Sequence, residues 1–329
     1  MVDMNFLTDP FLIDPTELPG PVLVTGAGGC IGAWVLAILT RSGVPVIASD
    51  LRKSPERASL VVAPEVAEAM DWVDLDVTDG SAVASLVKDR GVKAIIHLAG
   101  LQIPFCAANP ALGARVNVEG TINILEAARH NGVKRTVFAS SVAAHAFPPG
   151  KGIKETLYGA YKVANEQTAF VYWADWQVPS VCLRPNLVFG VARDQGVSSR
   201  NTIGLQAAVL GEPFEIGFSG AYNWFYAGEC AASFIASIRQ DGIGAHAFDI
   251  NGRASTIEEG LSLLDELVPG HKTTGQGPVF PFPADLDESP IRAHVPDYPT
   301  ISVEQGVRDT IRAFKLLQEE GRLPNLPMR

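Results

Sequence analysis

The stretch Thr25-Gly26-Ala27-Gly28-Gly29-Cys30-Ile31-Gly32 decides the fold of this chain. It follows the apolar run Pro21-Val22-Leu23-Val24 and opens a helix-like run from Ile31 to Thr40. Glycines at positions 26, 29 and 32 allow a tight turn, close backbone approach to a pyrophosphate, and close packing of helix on strand. The helix N-terminus then offers free N–H groups and partial positive charge to that pyrophosphate. The sequence therefore predicts a strand–turn–helix unit that binds a dinucleotide.

A second motif, Tyr158-Gly159-Ala160-Tyr161-Lys162, carries the chemistry. The four-residue spacing places Tyr158 and Lys162 on one face of a helix. A free tyrosine has a pKa of about 10 and is a poor base at neutral pH. A nearby ammonium and a positively charged nicotinamide both favour the phenolate and lower that pKa. An incidental Tyr/Lys pair on an amphipathic helix is the alternative, and the glycine fingerprint favours catalysis.

Together with five further stretches, these motifs resemble an extended short-chain dehydrogenase/reductase, and more narrowly the NAD-dependent epimerase/dehydratase branch. The resemblance runs from about residue 20 to about residue 318. It implies an α/β fold, with a Rossmann-type doubly wound parallel sheet and a small C-terminal substrate-binding lobe. The further stretches are Asp50 at the end of the second strand, His97-Leu98-Ala99-Gly100, Asn117-Val118-Glu119-Gly120-Thr121, Ser140-Ser141 and Arg184-Pro185-Asn186-Leu187-Val188-Phe189-Gly190.

Composition limits the partners. The chain has 329 residues, 47% of them apolar, and a net charge of −10 with no run of Lys or Arg. A nucleic-acid or anionic-membrane surface needs a basic face, so neither partner is expected. Cys30, Cys106, Cys182 and Cys230 lie far apart without metal-ligand spacing, as in a reduced intracellular protein, and we predict no metal site.

Residues 18–40 carry no charge, yet glycines 26, 28, 29 and 32 and Pro21 argue against a membrane span. A strand–turn–helix unit buried in a parallel sheet explains the same apolarity. The first 20 residues hold no basic residue and do not resemble a secretory signal. A cytoplasmic location is the expectation.

Alternating strand-like and helix-like stretches in the first 190 residues predict βαβ units. We expect an N-terminal extension at 1–19, an NAD-binding Rossmann domain at 20–190 and a substrate-binding lobe at 191–329 interleaved with that core. The predicted strands are at about 21–25, 45–49, 71–75, 93–98, 134–139 and 180–184. The predicted helices are at about 30–42, 80–90, 109–131, 157–177, 201–210, 227–240, 256–267 and 302–320.

Asp50 is positioned to select the cofactor. An acidic side chain there accepts hydrogen bonds from the adenosine ribose and repels a 2′-phosphate, which favours NAD over NADP. Arg52 and Lys53 leave NADP open, because a neighbouring cation could accommodate that phosphate. With the residues that the resemblance implies, the predicted cofactor set is Gly26, Gly29, Cys30, Ile31, Gly32, Asp50, Leu51, Asp76, Val77, Leu98, Ala99, Gly100, Asn117, Tyr158, Lys162, Pro185 and Val188.

The predicted catalytic residues are Ser141, Tyr158 and Lys162. The resemblance implies that Ser141, rather than Ser140, orients the substrate oxygen, while Tyr158 serves as the base and Lys162 also holds the nicotinamide ribose. His97 is expected to be a core histidine. The predicted substrate-binding set is Gln102, Ser141, Val142, Asn186 and Arg193, with an Arg193–Asp194 structural clip as the alternative for that arginine.

The leading functional hypothesis is an NAD-dependent oxidoreductase that acts on a secondary alcohol or ketone of a small polar substrate, such as a sugar, sugar acid or polyol. An NAD-retaining sugar or nucleotide-sugar epimerase is the alternative. Dehydration is disfavoured because Val142-Ala143-Ala144 follows Ser141, where a dehydratase needs an acidic pair. Some segments also resemble short-chain threonine dehydrogenases, and a non-catalytic dinucleotide sensor is the hypothesis from a different class.

We also expect a homodimer. The helices at about 109–131 and 157–177 should lie side by side on one face of the sheet, and relatives pair through this helix pair. Their outward positions are more apolar than a solvated face tolerates, and inward packing of some of these side chains on the sheet is the alternative. These positions are Leu112, Val116, Val163, Phe170 and Val171.

Overall fold

The structure is a computed structural model that describes residues 4–150 and 152–327. The strands are β1 Val22–Thr25, β2 Val46–Asp50, β3 Asp71–Asp74, β4 Ala94–His97, β5 Arg135–Ala139, β6 Ser180–Pro185, β7 Val188–Phe189, β8 Phe214–Glu215, β9 Ala221–Tyr226, β10 Ala245–Ile250, β11 Arg253–Thr256 and β12 Thr273–Thr274. The helices are α1 Cys30–Arg41, α2 Pro64–Ala69, α3 Gly80–Asp89, α4 Ile103–Ala108, α5 Pro110–Ala114, α6 Gly120–Asn131, α7 Leu157–Trp176, α8 Arg200–Leu210, α9 Ala227–Ala236, α10 Ile257–Leu267, α11 Ser289–His294 and α12 Val303–Glu319.

A parallel sheet of seven strands forms the centre, in the order β10-β6-β5-β4-β1-β2-β3. Apolar side chains fill two clusters, and all four residues of β1 are buried, as expected for a parallel strand covered on both faces. The strand order reverses between β1 and β4, and ligands of such sheets bind in the crevice at that point. The predicted Rossmann-type sheet is confirmed.

Two sequence predictions differ from the structure in detail. The predicted helix at 109–131 is divided into α5, a π-helical turn at Arg115–Glu119, and α6. The seventh strand, β10, comes from the second half of the chain and was missed, because its alternating residues are only half-buried at the sheet edge. The start of α3 has an ordinary cap, because the Asp79 side chain accepts from the Ala82 N–H at 3.0 Å.

The second half adds a smaller layer beyond the carboxyl edge of β6. There β9 pairs with β7 in parallel and with β11 in antiparallel orientation. Helix α9 packs against α1, so the two halves share a core. None of the helices in the described ranges combines the length and apolarity needed to cross a membrane.

The residues before β1 bind both halves together. Phe11 is buried against Gly228 of α9, and the centre of its ring lies 6.3 Å from that of Tyr226. Arg239, which follows α9, pairs with Glu17, and the Arg41 guanidinium of α1 lies 2.7 Å from the carboxylate of Asp9. This extension is therefore packed into the interface of α1 and α9, and the division into segments 1–19, 20–190 and 191–329 stays a prediction.

Candidate active site

The glycine-rich loop after β1 is shaped by the absence of side chains. Gly26 has a φ of +68°, and a Cβ there would lie 2.5 Å from the Ala99 backbone nitrogen. A Cβ on Gly32 would collide with the Gly26 carbonyl oxygen, so the glycine permits close packing of α1 on the loop. Gly29 is the N-cap of α1 and makes no side-chain cap, which leaves the first-turn N–H groups of that helix without a side-chain partner.

Asp50 ends β2 beside this loop. Its carboxylate accepts hydrogen bonds from the Gly28 N–H at 2.9 Å and the Leu51 N–H at 2.8 Å. Each carboxylate oxygen keeps a further lone pair for a ligand hydroxyl. Asp76 instead accepts from the backbone and hydroxyl of Thr78, at 2.9 and 2.8 Å, and organises the turn before α3.

The other predicted cofactor residues lie at the carboxyl ends of the strands. Leu98, Ala99 and Gly100 follow β4, and Pro185 ends β6. The side chains of Val77 and Val188 are buried, with 6% and 5% of their surface exposed, whereas Leu51 is 70% exposed. The structure does bring these backbone segments to one edge of the sheet, between the glycine loop and α7.

Ser141, Tyr158 and Lys162 come together as predicted. Ser141 follows β5, and the Tyr158 hydroxyl makes a side-chain hydrogen bond with it. The Lys162 ammonium lies 5.4 Å from the centre of the Tyr158 ring and donates to the Ala139 carbonyl at 2.7 Å. Helix α7 approaches the 3-10 turn Val142–Ala146 closely at Gly159, where a Cβ would lie 2.6 Å from the Ala143 carbonyl oxygen.

Burial dominates the electrostatics of this group. It raises the pKa of the Tyr158 phenol, while the hydrogen bond with Ser141 and the charge of Arg193 oppose that rise. Burial also lowers the pKa of the Lys162 ammonium to about 8. In the protein alone the Tyr158 pKa is therefore raised, because the cost of desolvating a phenolate exceeds the stabilisation from nearby charges. The lowering expected from Lys162 together with a charged nicotinamide stays a prediction.

Behind the catalytic residues lies an ion pair that sequence reasoning missed. Arg184 of β6 donates to both oxygens of Glu166, at 2.7 and 2.6 Å, and the Ser140 hydroxyl donates to the same carboxylate. Glu166 stands one turn after Lys162 on α7 and is only 3% exposed. The four-residue spacing from Lys162 was the available signal. Since Ser140 is committed to Glu166, Ser141 is the serine left to face a substrate.

Asn117 lies in the π-helical turn and steadies the floor of the site. Its amide nitrogen donates to the Gly113 carbonyl at 3.0 Å and the Leu101 carbonyl at 3.2 Å. Its buried Oδ1 atom has no hydrogen-bond partner within the described part of the chain and lies 2.8 Å from where a Gly100 Cβ would be. An acceptor without a partner beside a glycine is a suitable contact for a bound ligand.

His97 is a core histidine, as expected. Its two ring nitrogens lie 2.7 Å from the Thr25 hydroxyl and 3.2 Å from the Thr121 hydroxyl, and 2% of its surface is exposed. Burial lowers the pKa of the ring to about 3, so the imidazole is neutral at physiological pH.

The predicted substrate residues fall into two groups. Asn186 is buried, and its amide nitrogen donates to Asn251 at 2.8 Å and the Pro283 carbonyl at 3.0 Å, so it also holds the loop before α11. Val142 is buried with 4% of its surface exposed. By contrast, the side chains of Gln102 and Arg193 are only half-buried and lie close to each other at Gly196.

Arg193 does not form the structural clip with Asp194. Asp194 instead accepts from Arg57, with Nε at 3.1 and 3.2 Å from the two carboxylate oxygens. Arg57 also donates to the Gly28 carbonyl at 2.9 Å. The ion pair therefore joins the segment after β2 to the loop after β7, directly at the glycine loop; we call Arg57, Asp194 and the Gly28 carbonyl the clasp.

The model of the NAD dependent epimerase/dehydratase family matches residues 22–250. The chain belongs to this family. A UDP-glucose 4-epimerase of Mycolicibacterium smegmatis is 25% identical over 312 residues, which cover 89% of this chain and 98% of that protein. A UDP-glucose 4-epimerase of Azospirillum brasilense is 29% identical over 181 residues, 53% of this chain and 50% of that protein. The chain thus spans only half the length of this second relative.

Solved structures confirm the fold. The UDP-glucose 4-epimerase from Thermotoga maritima has a TM-score of 0.75 at 21% identity and covers 91% of this chain and 99% of its own. The L-threonine dehydrogenase from Clostridium difficile has a TM-score of 0.78 at 22% identity, with coverage of 93% and 99%.

NAD is the cofactor of this family, and the residues of this chain fit it. The glycine loop and the open amino end of α1 suit a pyrophosphate. The Asp50 carboxylate has lone pairs for the ribose hydroxyls, and the Asn117 oxygen without a partner faces the gap at Gly100. These features lie at the carboxyl edge of the sheet, on the same side as Tyr158 and Lys162.

Proposed function

We propose that this chain is an NAD-dependent oxidoreductase that interconverts a secondary alcohol and a ketone on a small polar substrate. The observation that carries the proposal is the grouping of Ser141, Tyr158 and Lys162 at the carboxyl edge of the sheet, beside the glycine loop. This grouping has the groups needed to remove a hydroxyl proton at a fixed position.

Each residue has a separate role in that chemistry. Ser141 holds the substrate oxygen against Tyr158, whose phenol oxygen accepts the hydroxyl proton. Lys162, with a pKa lowered to about 8 by burial, keeps a positive charge at neutral pH that stabilises the phenolate form of Tyr158, which is the form that accepts this proton. Its bond to the Ala139 carbonyl fixes where that charge lies. Bound NAD supplies the hydride acceptor.

Replacing Tyr158 by phenylalanine tests the role of the base. We expect Tyr158→Phe to lower kcat by a factor of about 100 or more, the usual effect of losing a general base, while NAD still binds. Tyr161→Phe is the matched control, because the Tyr161 hydroxyl donates to the Pro110 carbonyl at 2.9 Å on the neighbouring helix. NADH formation from a panel of secondary alcohols is the measurement. Equal turnover by Tyr158→Phe and the wild type would exclude this mechanism.

A sugar epimerase that retains its NAD is the second candidate. The clasp favours it, because an ion pair joined to the glycine loop hinders cofactor exchange, and the relatives compared above are named UDP-glucose 4-epimerases. Against a nucleotide sugar, the segment Ala221-Tyr222-Asn223-Trp224 offers no basic residue for a diphosphate. Tightly held NAD in the purified protein with no net NADH from any alcohol would favour the epimerase.

We further propose that the protein is a homodimer in the cytoplasm. Helices α6 and α7 lie side by side, and the five predicted outward residues are not buried; Phe170 and Val171 are 40% and 51% exposed. The four cysteines are unpaired, as in a reducing compartment. Light scattering that gives the mass of one chain would contradict the dimer. A dimer that survives Phe170→Glu with Val171→Glu would exclude this surface as its interface.

A further inference from the structure

Arg193 has a guanidinium that is only partly satisfied. Its Nη2 atom donates to the Ser198 hydroxyl at 2.8 Å, whereas its buried Nε has no partner within residues 4–150 and 152–327. Burial raises the pKa of Cys30, the first residue of α1, and that of Tyr158. The positive charge of Arg193 partly offsets both rises. The guanidinium is therefore close enough to the amino end of α1 and to the catalytic tyrosine for its charge to act on both.

The loop that carries Arg193 is fixed before any ligand binds. Trp34 of α1 donates its indole N–H to the Val191 carbonyl at 2.9 Å, and the buried Tyr222 hydroxyl donates to the Ser198 carbonyl at 3.2 Å. The clasp holds the next residue, Asp194. Because the Asp194 carboxylate pairs with Arg57, it does not neutralise Arg193.

Gln102 brings a side-chain amide to the same place. Gly196 has a φ of +89°, and a Cβ there would lie 2.9 Å from the Gln102 side-chain oxygen and 3.7 Å from Arg193 Nη2. A planar guanidinium with a free Nε–H beside an amide group is a suitable arrangement for binding an anionic oxygen group. The tight approach at Gly196 also explains why this loop position carries no side chain.

We propose that Arg193 and Gln102 form a subsite for the carboxylate of a hydroxy acid, which rests on the proposed oxidoreductase function. The subsite lies near Tyr158, so the anion belongs close to the reacting carbon. It also contains one cation, which suits a single negative charge better than a diphosphate. The other arginine of this loop, Arg200, donates to the Ile216 and Glu215 carbonyls and lies 5.0 Å over the Phe214 ring, so its guanidinium is engaged elsewhere.

Binding of matched acids and polyols to the NADH-loaded protein tests the subsite without requiring turnover. The probes are D-gluconate against D-glucitol, D-glycerate against glycerol, and D-glucuronate against D-glucose, measured by calorimetry. We expect at least one acid to bind about tenfold more tightly than its neutral partner, the discrimination expected from one charge-assisted contact. Arg193→Gln should abolish that preference, and Arg193→Lys should retain part of it. Arg308→Gln, the same charge change on the exposed face of α12, should leave it unchanged.

NAD and UDP-glucose distinguish the other sources of an anion. The NAD dissociation constant of Arg193→Gln should equal that of the wild type. Arg193→Gln could instead bind NAD or UDP-glucose more weakly while the preference for acids is unchanged or absent. In that case the guanidinium binds a diphosphate, and the carboxylate subsite is wrong. The absence of any acid preference in the wild type would also overturn it.

These results are separable from the test of the proposed function. One possible result is a preference for acids that depends on Arg193, with no NADH formed from any alcohol. This would support the subsite and exclude the oxidoreductase function. Turnover of neutral alcohols without acid preference would keep the oxidoreductase and exclude the subsite. If Arg193→Gln fails to fold, a folded Arg193→Lys variant replaces it. Its preference for the acid over the neutral partner should then be lower than that of Arg308→Gln.

Discussion

The two halves of this chain build one site by different means. Residues 20–190 form it with backbone: the glycine loop, the strand ends and the start of α7 are placed by turns and helix packing. Residues 191–327 contribute through side chains that contact distant segments, such as Asp194 with Arg57 and Asn251 with Asn186. Geometry set by the backbone follows from local sequence patterns, whereas contacts between distant side chains do not.

Two asparagines of the second half and one of the first illustrate this. Asn251 accepts from Asn186 at 2.8 Å and Asn223 at 3.2 Å, and its own amide nitrogen donates to the Leu286 carbonyl at 2.7 Å. The three residues are at most 5% exposed and hold the segment before α11 over the edge of the sheet. No local pattern in the sequence predicts that they meet.

The largest expected effect on stability and NAD binding comes from a substitution at Gly26, in the half that forms the site with backbone. In Gly26→Ala, the alanine must adopt a left-handed backbone, which costs about 1–2 kcal/mol. Its Cβ also collides with Ala99, which adds about 1–3 kcal/mol. Gly43→Ala is the matched control: its φ is +75°, but nothing lies within 4 Å of its Cβ position. Gly26→Ala should therefore lose more unfolding free energy than Gly43→Ala and bind NAD at least tenfold more weakly.

Thermal unfolding and NAD titration measure this difference. If both variants bind NAD as the wild type does, the close approach at Ala99 does not shape the cofactor site. If both lose the same stability, the positive φ alone explains the need for glycine at position 26.

The same contrast explains how much of the fold was predictable. Hydrophobic runs and glycine positions predicted the first six strands of the central sheet and α1, α3 and α7. The π-helical turn at Arg115–Glu119 interrupts a helix whose sequence pattern is continuous, and β10 joins the sheet only through long-range pairing with β6. Such features depend on tertiary contacts, which the local pattern does not contain.

The candidate site divides in the same way. Ser141, Tyr158 and Lys162 carry a recognisable spacing and come together as expected. Arg57 and Glu166 were missed, because their partners Asp194 and Arg184 are 137 and 18 residues away in sequence. The role of Arg193 could be narrowed only after the structure showed which residue pairs with Asp194.

The two halves should also respond oppositely to pH. Glu229 of α9 is 1% exposed, and burial raises its pKa to about 7 from 4.5, so the folded state binds its proton more tightly. Its contribution to stability is greatest below pH 4.5 and is lost as pH rises to about 7. His97, with a pKa lowered to about 3, instead loses stability as pH falls below 6.5.

Glu229→Gln separates these effects. Between about pH 5 and pH 8 the variant should gain about 2 kcal/mol of unfolding free energy relative to the wild type. Glu258→Gln is the control, because the pKa of that exposed carboxyl is lowered, so it stays ionised throughout this range. Chemical denaturation at the two pH values measures both. Parallel pH profiles for Glu229→Gln and the wild type would show that burial does not raise this pKa.

The smallest expected effect tests one contact between the halves, the clasp. The clasp is partly exposed, with 24% of the Arg57 and 46% of the Asp194 side chain accessible, so the pair contributes about 1 kcal/mol at most. Arg57→Gln and Asp194→Asn should each speed NAD dissociation about three- to fivefold. Since both break the pair between Arg57 and Asp194, the double variant should be no faster than Arg57→Gln alone. Arg308→Gln on α12 is the charge-matched control. Strictly additive rates, or rates equal to that of Arg308→Gln, would mean that the clasp does not restrain the cofactor.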